Sequence, residues 1–240
     1  MTHDLLENSK QDGPSGGGRP GLAVFDLDYT LTKRGTWSRF VWEWVKYRPH
    51  IWLPLLLRTL WVQWQYKRGL RPRSDVKLMM MCYAMKGVSK DELETRGREF
   101  AQNEVASGLR PGGLEAIKWH QSRGDILILV SAAVDVVAKP IGSYIGFDHV
   151  LSTEITYDLS DILILNFERG NCHGEEKATR FQKLIDGNPS LSRNATQVTF
   201  YSDSFSDLAM FRSANICNAV HPDKKLSRYA SEQGWPILMW

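Results

Sequence analysis

The sequence predicts an α/β fold, a parallel sheet with a helical segment inserted behind its first strand, and three observations carry that expectation. Leu22-Ala23-Val24-Phe25, Ile126-Leu127-Ile128-Leu129-Val130 and Val198-Thr199-Phe200-Tyr201 are apolar runs too short for helix faces. They read as strands buried on both sides. Helical patterns alternate with such runs beyond Gly113, which implies right-handed crossovers and parallel pairing. Each of the three runs also ends in polar groups: Asp26, Asp28 and Thr30, then Ser131, then Asp203 and Asp207.

In chain order, residues 1–20 hold Ser15-Gly16-Gly17-Gly18 between Pro14 and Pro20 and read as a flexible tail. The first strand and its acidic loop follow, and residues 21–36 and 108–240 are assigned to the α/β core. Residues 37–107 are the expected cap. They open with a Trp-rich stretch that includes Trp37, Trp42, Trp44, Trp52, Trp61 and Trp64. A membrane span needs about 20 apolar residues with few charges. Here Glu43, Lys46, Arg48 and Arg58 interrupt the run, and Pro49 and Pro54 are expected to break its helices. Two readings stay open for this stretch. One is a cap packed over the active site. The other is an interfacial segment, because Trp marks headgroup depth and the basic cluster Lys67, Arg68, Arg71, Arg73 and Lys77 follows.

Val76 to Tyr83 is apolar enough to be buried, its methionines serving as core filler. Ser89-Lys90-Asp91-Glu92 reads as a capped helix start. A helix over 114–123 is stopped by Gly124. Further helices begin near Val134, Gly174 and Leu208, a small hairpin is expected at 162–165, and a short strand near Ile216 completes the sheet.

A net charge of +3 and the absence of aromatic-interleaved basic repeats exclude a nucleic-acid partner as the working reading. Cys82, Cys172 and Cys217 are widely spaced, with neither a zinc pattern nor an even disulfide set. With no apolar leader visible, a reducing, cytoplasmic setting is expected.

The polar strand ends converge on one chemistry. Two carboxylates spaced as Asp26-x-Asp28 repel each other unless a cation intervenes, which suggests a divalent metal. Around a phosphate, one carboxylate can attack phosphorus and a second can act as acid and base. A hydroxyl and a lysine such as Lys177 can hold phosphoryl oxygens, and a further acidic pair can hold Mg2+.

The ordered set Asp26-x-Asp28-x-Thr30, Ser131, Lys177 and Asp203-x-x-x-Asp207 resembles the four motifs of the haloacid dehalogenase superfamily. The helical insert between the first two motifs resembles the phosphoserine phosphatase-like branch. Gly170 to Lys177, Phe200 to Ser204 and Gly234-Trp235-Pro236 are similar to a bacterial group related to phosphatidylglycerophosphate phosphatases. The resemblance implies a Rossmann-like core and a Mg2+-dependent phosphomonoester hydrolase. It makes Asp26 the nucleophile of an aspartyl-phosphate and Asp28 the acid and base. Thr30 and Ser131 would bind phosphoryl oxygens and Lys177 would offset charge. Asp26, the carbonyl of Asp28 and Asp203 would bind the metal, with Asp207 in support.

Departures from the branch bear on substrate. Gly35 stands where phosphoserine phosphatases carry a glutamate for the substrate amine, and Ala132-Ala133 replace the glycines after the motif-two serine. A lipid phosphate such as phosphatidylglycerophosphate is therefore one expectation, with peripheral contact at the inner membrane face through the cap. A small soluble phosphate ester, a phosphotransferase and a regulatory protein without turnover are the alternatives.

Overall fold

The computed structural model describes residues 20–167, 170–194 and 197–240. The tail expected over 1–20 lies outside them, apart from Pro20. Eight strands are present among the described residues: β1 (Leu22–Phe25), β2 (Ile126–Val134), β3 (His149–Thr153), β4 (Thr156–Tyr157), β5 (Leu163–Ile164), β6 (Val198–Ser202), β7 (Ile216–Val220) and β8 (Ile237–Leu238). Six of them form one parallel sheet in the order β3-β2-β1-β6-β7-β8, while β4 and β5 pair as the small antiparallel hairpin. The chain runs outward from β1 through β2 to β3, then returns to β1's other side with β6. That reversal opens a crevice at the carboxyl end of β1, where such sheets hold ligands.

The two-sided burial of the strands is visible residue by residue. Ala23, Phe25, Leu127 and Leu129 join one hydrophobic cluster, and their neighbours Leu22, Val24, Ile128 and Val130 join another on the opposite face. Alternation of side chains along a strand requires this split. The second cluster is completed by Phe181 and Ile185, Met210 and Phe211, and Leu226 and Ala230, from helices described below.

The insert contributes α1 (Thr36–Val45), α2 (Pro49–Lys67), α3 (Arg73–Ala84) and α4 (Lys90–Ser107). After it come α5 (Pro111–Ser122), α6 (Asp135–Ile145), α7 (Glu175–Asp186), α8 (Pro189–Asn194), α9 (Leu208–Arg212) and α10 (Lys224–Gln233). Ser89 caps α4 as the sequence implies, its hydroxyl accepting from the Glu92 N–H at 3.3 Å. Pro49 stands at the break between α1 and α2 as expected, but Pro54 does not break its helix. Pro49 takes a first-turn position, where no N–H partner is lost, and Pro54 lies within α2, which continues to Lys67.

The insert shares the first hydrophobic cluster with the sheet, through Trp37, Phe40, Val41, Trp44, Met81, Leu93 and Phe100. Gly97 brings α4 against α6 so closely that a Cβ there would stand 2.3 Å from the Val136 carbonyl oxygen. The insert is rooted in the core by a two-chain neck. The Lys33 N–H donates to the Gly108 carbonyl at 2.9 Å and the Arg110 N–H to the Leu31 carbonyl at 2.8 Å.

Against the central strands β1 and β6, His120 is buried between two partners. Its Nδ1 lies 2.7 Å from Asp125 Oδ2 and its Nε2 lies 3.0 Å from the Tyr201 hydroxyl. Asp125 also accepts from the Gly21 N–H at 2.8 Å, which ties α5 to the start of β1. Sequence spacing does not announce this arrangement, because the partners of His120 stand outside its helix.

Burial lowers the imidazole pKa from its ordinary 6.5, against the opposing pull of Asp125. The unfolded chain therefore binds the extra proton more readily, so this contribution to stability is present above the ordinary value and lost as pH falls below it. The unfolding free energy in urea should drop between about pH 7 and pH 5 in the native protein, and less so in His120→Gln. Equal slopes for the two proteins would contradict a neutral buried His120.

Candidate active site

Register assembles the site. Phe25 pairs with Leu129 on one side and Tyr201 on the other, so Asp26 stands level with the strand ends that carry Ser131 and Asp203. The Asp26 N–H continues the ladder, donating to the Tyr201 carbonyl at 2.9 Å. Residues 27–31 then make one wide turn, closed where the Thr32 N–H reaches the Leu27 carbonyl at 2.9 Å. Tyr29 sits at its crest in the left-handed region, with φ 64°. That is uncommon for an aromatic residue, and such backbone strain clusters at functional sites.

The turn sends Thr30 back beneath the strand. Thr30 is fully buried, and its hydroxyl lies 3.2 Å from Asp26 Oδ2 and 3.5 Å from Asp203 Oδ1. The Asp203 N–H donates to the same oxygen at 3.0 Å. Thr30 thus joins the first and last motifs, and its hydroxyl is committed within the protein. Asp28 is half-buried, and its Oδ1 accepts the Thr36 N–H at 2.8 Å. The first turn of α1 therefore fixes the orientation of the second carboxylate.

Lys177 arrives from the first turn of α7. Gly174 precedes that helix at φ 62° and ψ −127°, a conformation open in practice only to glycine, and this turn aims the lysine inward. The ammonium is 3% exposed, 2.6 Å from Asp26 Oδ1 and 2.7 Å from Asp207 Oδ2. Ser202 adds a hydroxyl donated to Asp207 Oδ2 at 2.7 Å, a contact that no motif in the sequence announces.

Three carboxylates thus surround one ammonium. Burial pulls the lysine pKa down, but Asp207 and Asp26 outweigh it and hold the amine charged. One ammonium cannot neutralise all three acids. Burial, partly offset by Lys177 and reinforced by Asp207, pushes Asp26 up to about 6. Burial and then the charges of Asp26 and Asp207 push Asp203 up to about 8. Asp207 Oδ1 is buried and has no hydrogen-bond partner among the described residues.

Surplus negative charge with an unpartnered oxygen suits a hard divalent cation, so these residues fit Mg2+. Among the described residues no group of three His, Cys, Asp or Glu side chains has metal-holding geometry. The set at issue is smaller, namely the carboxylates of Asp26 and Asp203 with the main-chain carbonyl of Asp28.

Ser131 lies where β2 slips register against β3, between Val130 and Val134. Bulges of this kind re-aim residues beside active sites. Its buried hydroxyl accepts the Ala133 N–H at 3.0 Å. The next carbonyl, of Ala132, accepts from the Thr153 hydroxyl at 2.9 Å and from the Lys77 ammonium. Lys77 also donates to Asn171 Oδ1 at 2.8 Å.

Lys77 therefore belongs to the site rather than to the basic flank where the sequence placed it. It reaches in from α3, which sequence spacing cannot reveal. Arg110, at the neck, donates to the Tyr29 carbonyl at 3.2 Å and feels the charge of Asp203. A cavity of about 410 Å3, lined by Glu94, Arg98, Asp135, Lys139 and Tyr144 among others, contains none of the acidic cluster.

Comparison with known proteins agrees with this geometry. Residues 23–212 match the family model of the haloacid dehalogenase-like hydrolases. The chain is 27% identical over 228 residues to a histidinol-phosphatase of Neisseria meningitidis, covering 90% of this chain and 97% of that one. A Bordetella pertussis Tohama I protein of unknown function superimposes with a TM-score of 0.80 at 22% identity, covering 92% of this chain and 99% of that one. A substrate-bound phosphoserine phosphatase superimposes with a TM-score of 0.61 at 16% identity, covering 92% and 93% of the two chains. With the four motifs gathered at one sheet edge, the chain belongs to the haloacid dehalogenase-like hydrolase family, as an enzyme of its phosphatase branch.

Proposed function

We propose that this enzyme is a Mg2+-dependent phosphomonoesterase that works through an aspartyl-phosphate on Asp26. The observation that carries the reading is the setting of Asp26. It is a buried carboxylate at a strand end, held on one oxygen by Lys177 at 2.6 Å and on the other by Thr30 at 3.2 Å. Both contacts fix its direction, and positioning is most of what phosphoryl transfer asks of a protein.

In the first step an Asp26 oxygen attacks phosphorus and the bond from phosphorus to the ester oxygen breaks. Asp28 donates its proton to the departing alkoxide. Its fixed hydrogen bond to the Thr36 N–H at 2.8 Å supports that role, because one oxygen is anchored and the other left for proton transfer. In the second step a water molecule gives a proton to Asp28 and attacks the aspartyl-phosphate. The acyl-phosphate bond breaks, which restores Asp26 and releases phosphate. Lys177 and the Ser131 hydroxyl are assigned to offset or bind developing charge on the phosphoryl group, whereas the Thr30 hydroxyl, spent on Asp26 and the Asp203 N–H, orients the nucleophile instead of a phosphoryl oxygen. Mg2+, held by Asp26, Asp203 and the Asp28 carbonyl with Asp207 in support, would supply further positive charge to the phosphoryl oxygens.

For substrate, the similarity to a histidinol-phosphatase favours a small phosphomonoester. Gly35 argues against phosphoserine. A Cβ at this position would stand 3.3 Å from the Tyr29 hydroxyl, so a substrate-gripping glutamate would have to displace that ring slightly. A lipid phosphate such as phosphatidylglycerophosphate is the second reading, favoured by the apolar, basic outer surface of α2.

Phosphate release from histidinol phosphate, phosphoserine, other soluble esters and phosphatidylglycerophosphate in mixed micelles tests both readings. Asp26→Asn should reduce turnover at least about a thousandfold on whichever ester is used. Retained turnover would exclude Asp26 as nucleophile. Metal binding has its own readout: Mg2+ should raise the melting temperature of the native protein, and Asp203→Asn should abolish most of that rise. An equal rise in the variant would place the cation elsewhere.

A further inference from the structure

We infer that the outer face of α2 is a docking surface for an anionic lipid bilayer, with the helix lying flat in the headgroup plane. At 100° per residue, Leu53, Leu56, Leu57, Leu60, Trp61 and Trp64 fall within an arc of about 140°. Each is 43% exposed or more, with Leu57 at 61%. The opposite arc holds Leu55 and Val62, which are buried against the rest of the insert. A helix apolar on every side is ordinarily enclosed, yet here only one side is covered. The exposed side forms a contiguous ridge of the kind that marks an interaction surface.

Charge selects the occupant. Between Trp44 and Ser74 there are seven Lys and Arg residues and no Asp or Glu, in a chain whose net charge is only +3. Lys67 and Arg68 stand at the end of the helix on the same side as the ridge. The Arg68 guanidinium lies 5.0 Å over the Trp64 ring, and that ring stacks on Trp61 at 5.1 Å. Tryptophan with a cation beside an aliphatic ridge matches the layering of a membrane interface, apolar inside and anionic at the headgroups. No helix among the described residues is long and apolar enough to cross a membrane, so contact from the side is the geometry that remains for this face.

The inference is independent of the chemistry at Asp26, and vesicle sedimentation tests it with the full chain. The protein should sediment with vesicles of phosphatidylcholine and phosphatidylglycerol and far less with phosphatidylcholine alone. The double variant Leu57→Glu/Trp61→Glu should bind at least roughly tenfold more weakly. The variant Lys67→Gln/Arg68→Gln should lose about fivefold per charge, and its exposed positions keep the fold out of question.

Hydrolysis of p-nitrophenyl phosphate by both variants should match the native protein, which separates a failed surface from a failed active site. Absence of sedimentation with anionic vesicles would overturn the inference. So would equal binding by the variants, or a native dimer that Leu57→Glu/Trp61→Glu converts to monomer while vesicle binding is unchanged.

Discussion

The Lys177 ammonium, buried between Asp26 and Asp207, is the interaction on which this structure turns. Its two contacts, 2.6 and 2.7 Å, join α7 to the end of β1 and to the loop after β6. Removing one partner of such a buried group strands an uncompensated charge at a cost of several kcal/mol. The arrangement is nevertheless unbalanced, since the ammonium touches only two of the three clustered acids. The surplus falls on Asp26 and Asp203, and burial raises both. That surplus is what the proposed binding of a cation and a phosphoryl group would relieve.

The insert is part of that machinery as well as a cover. It leaves the core through the neck at Leu31–Lys33 and Gly108–Arg110, one residue beyond the catalytic turn. Its first helix N–H holds Asp28, its third helix sends Lys77 to the Ala132 carbonyl, and Arg110 closes the neck over Tyr29. Movement of these helices would therefore shift the acid and the mouth of the site together. The outer face of α2 makes none of these contacts.

Much of the site was legible in the sequence because its determinants are local. Asp26 and Asp28 follow an apolar run that can only be a buried strand, and the sheet edge collects whatever ends such strands. Lys177 and Asp203 needed the ordered set of motifs, since each alone is an ordinary charged residue. What escaped depends on tertiary contact. His120 gains meaning only from Asp125 and Tyr201, and Ser202 only from Asp207. Lys77 looked like one cation in a basic run until α3 turned it inward. Pro54 escapes the rule that proline breaks a helix: it forfeits one hydrogen bond, while Leu55 and Val62 of the same helix are buried. The six tryptophans of the insert's opening stretch looked alike in sequence, but Trp37 and Trp44 are core while Trp42, Trp61 and Trp64 are not.

The measurement closest to the central claim is chemical trapping of the phosphorylated enzyme. The protein would be mixed with a turned-over phosphomonoester, quenched in acid during turnover, digested and mapped by mass spectrometry. A phosphoryl group on the peptide that carries Asp26, absent from Asp26→Asn, is the predicted result. Phosphorylation at Asp28, Asp203 or another residue would contradict the account. So would full turnover with no phosphorylated peptide and with solvent oxygen entering phosphate in a single displacement.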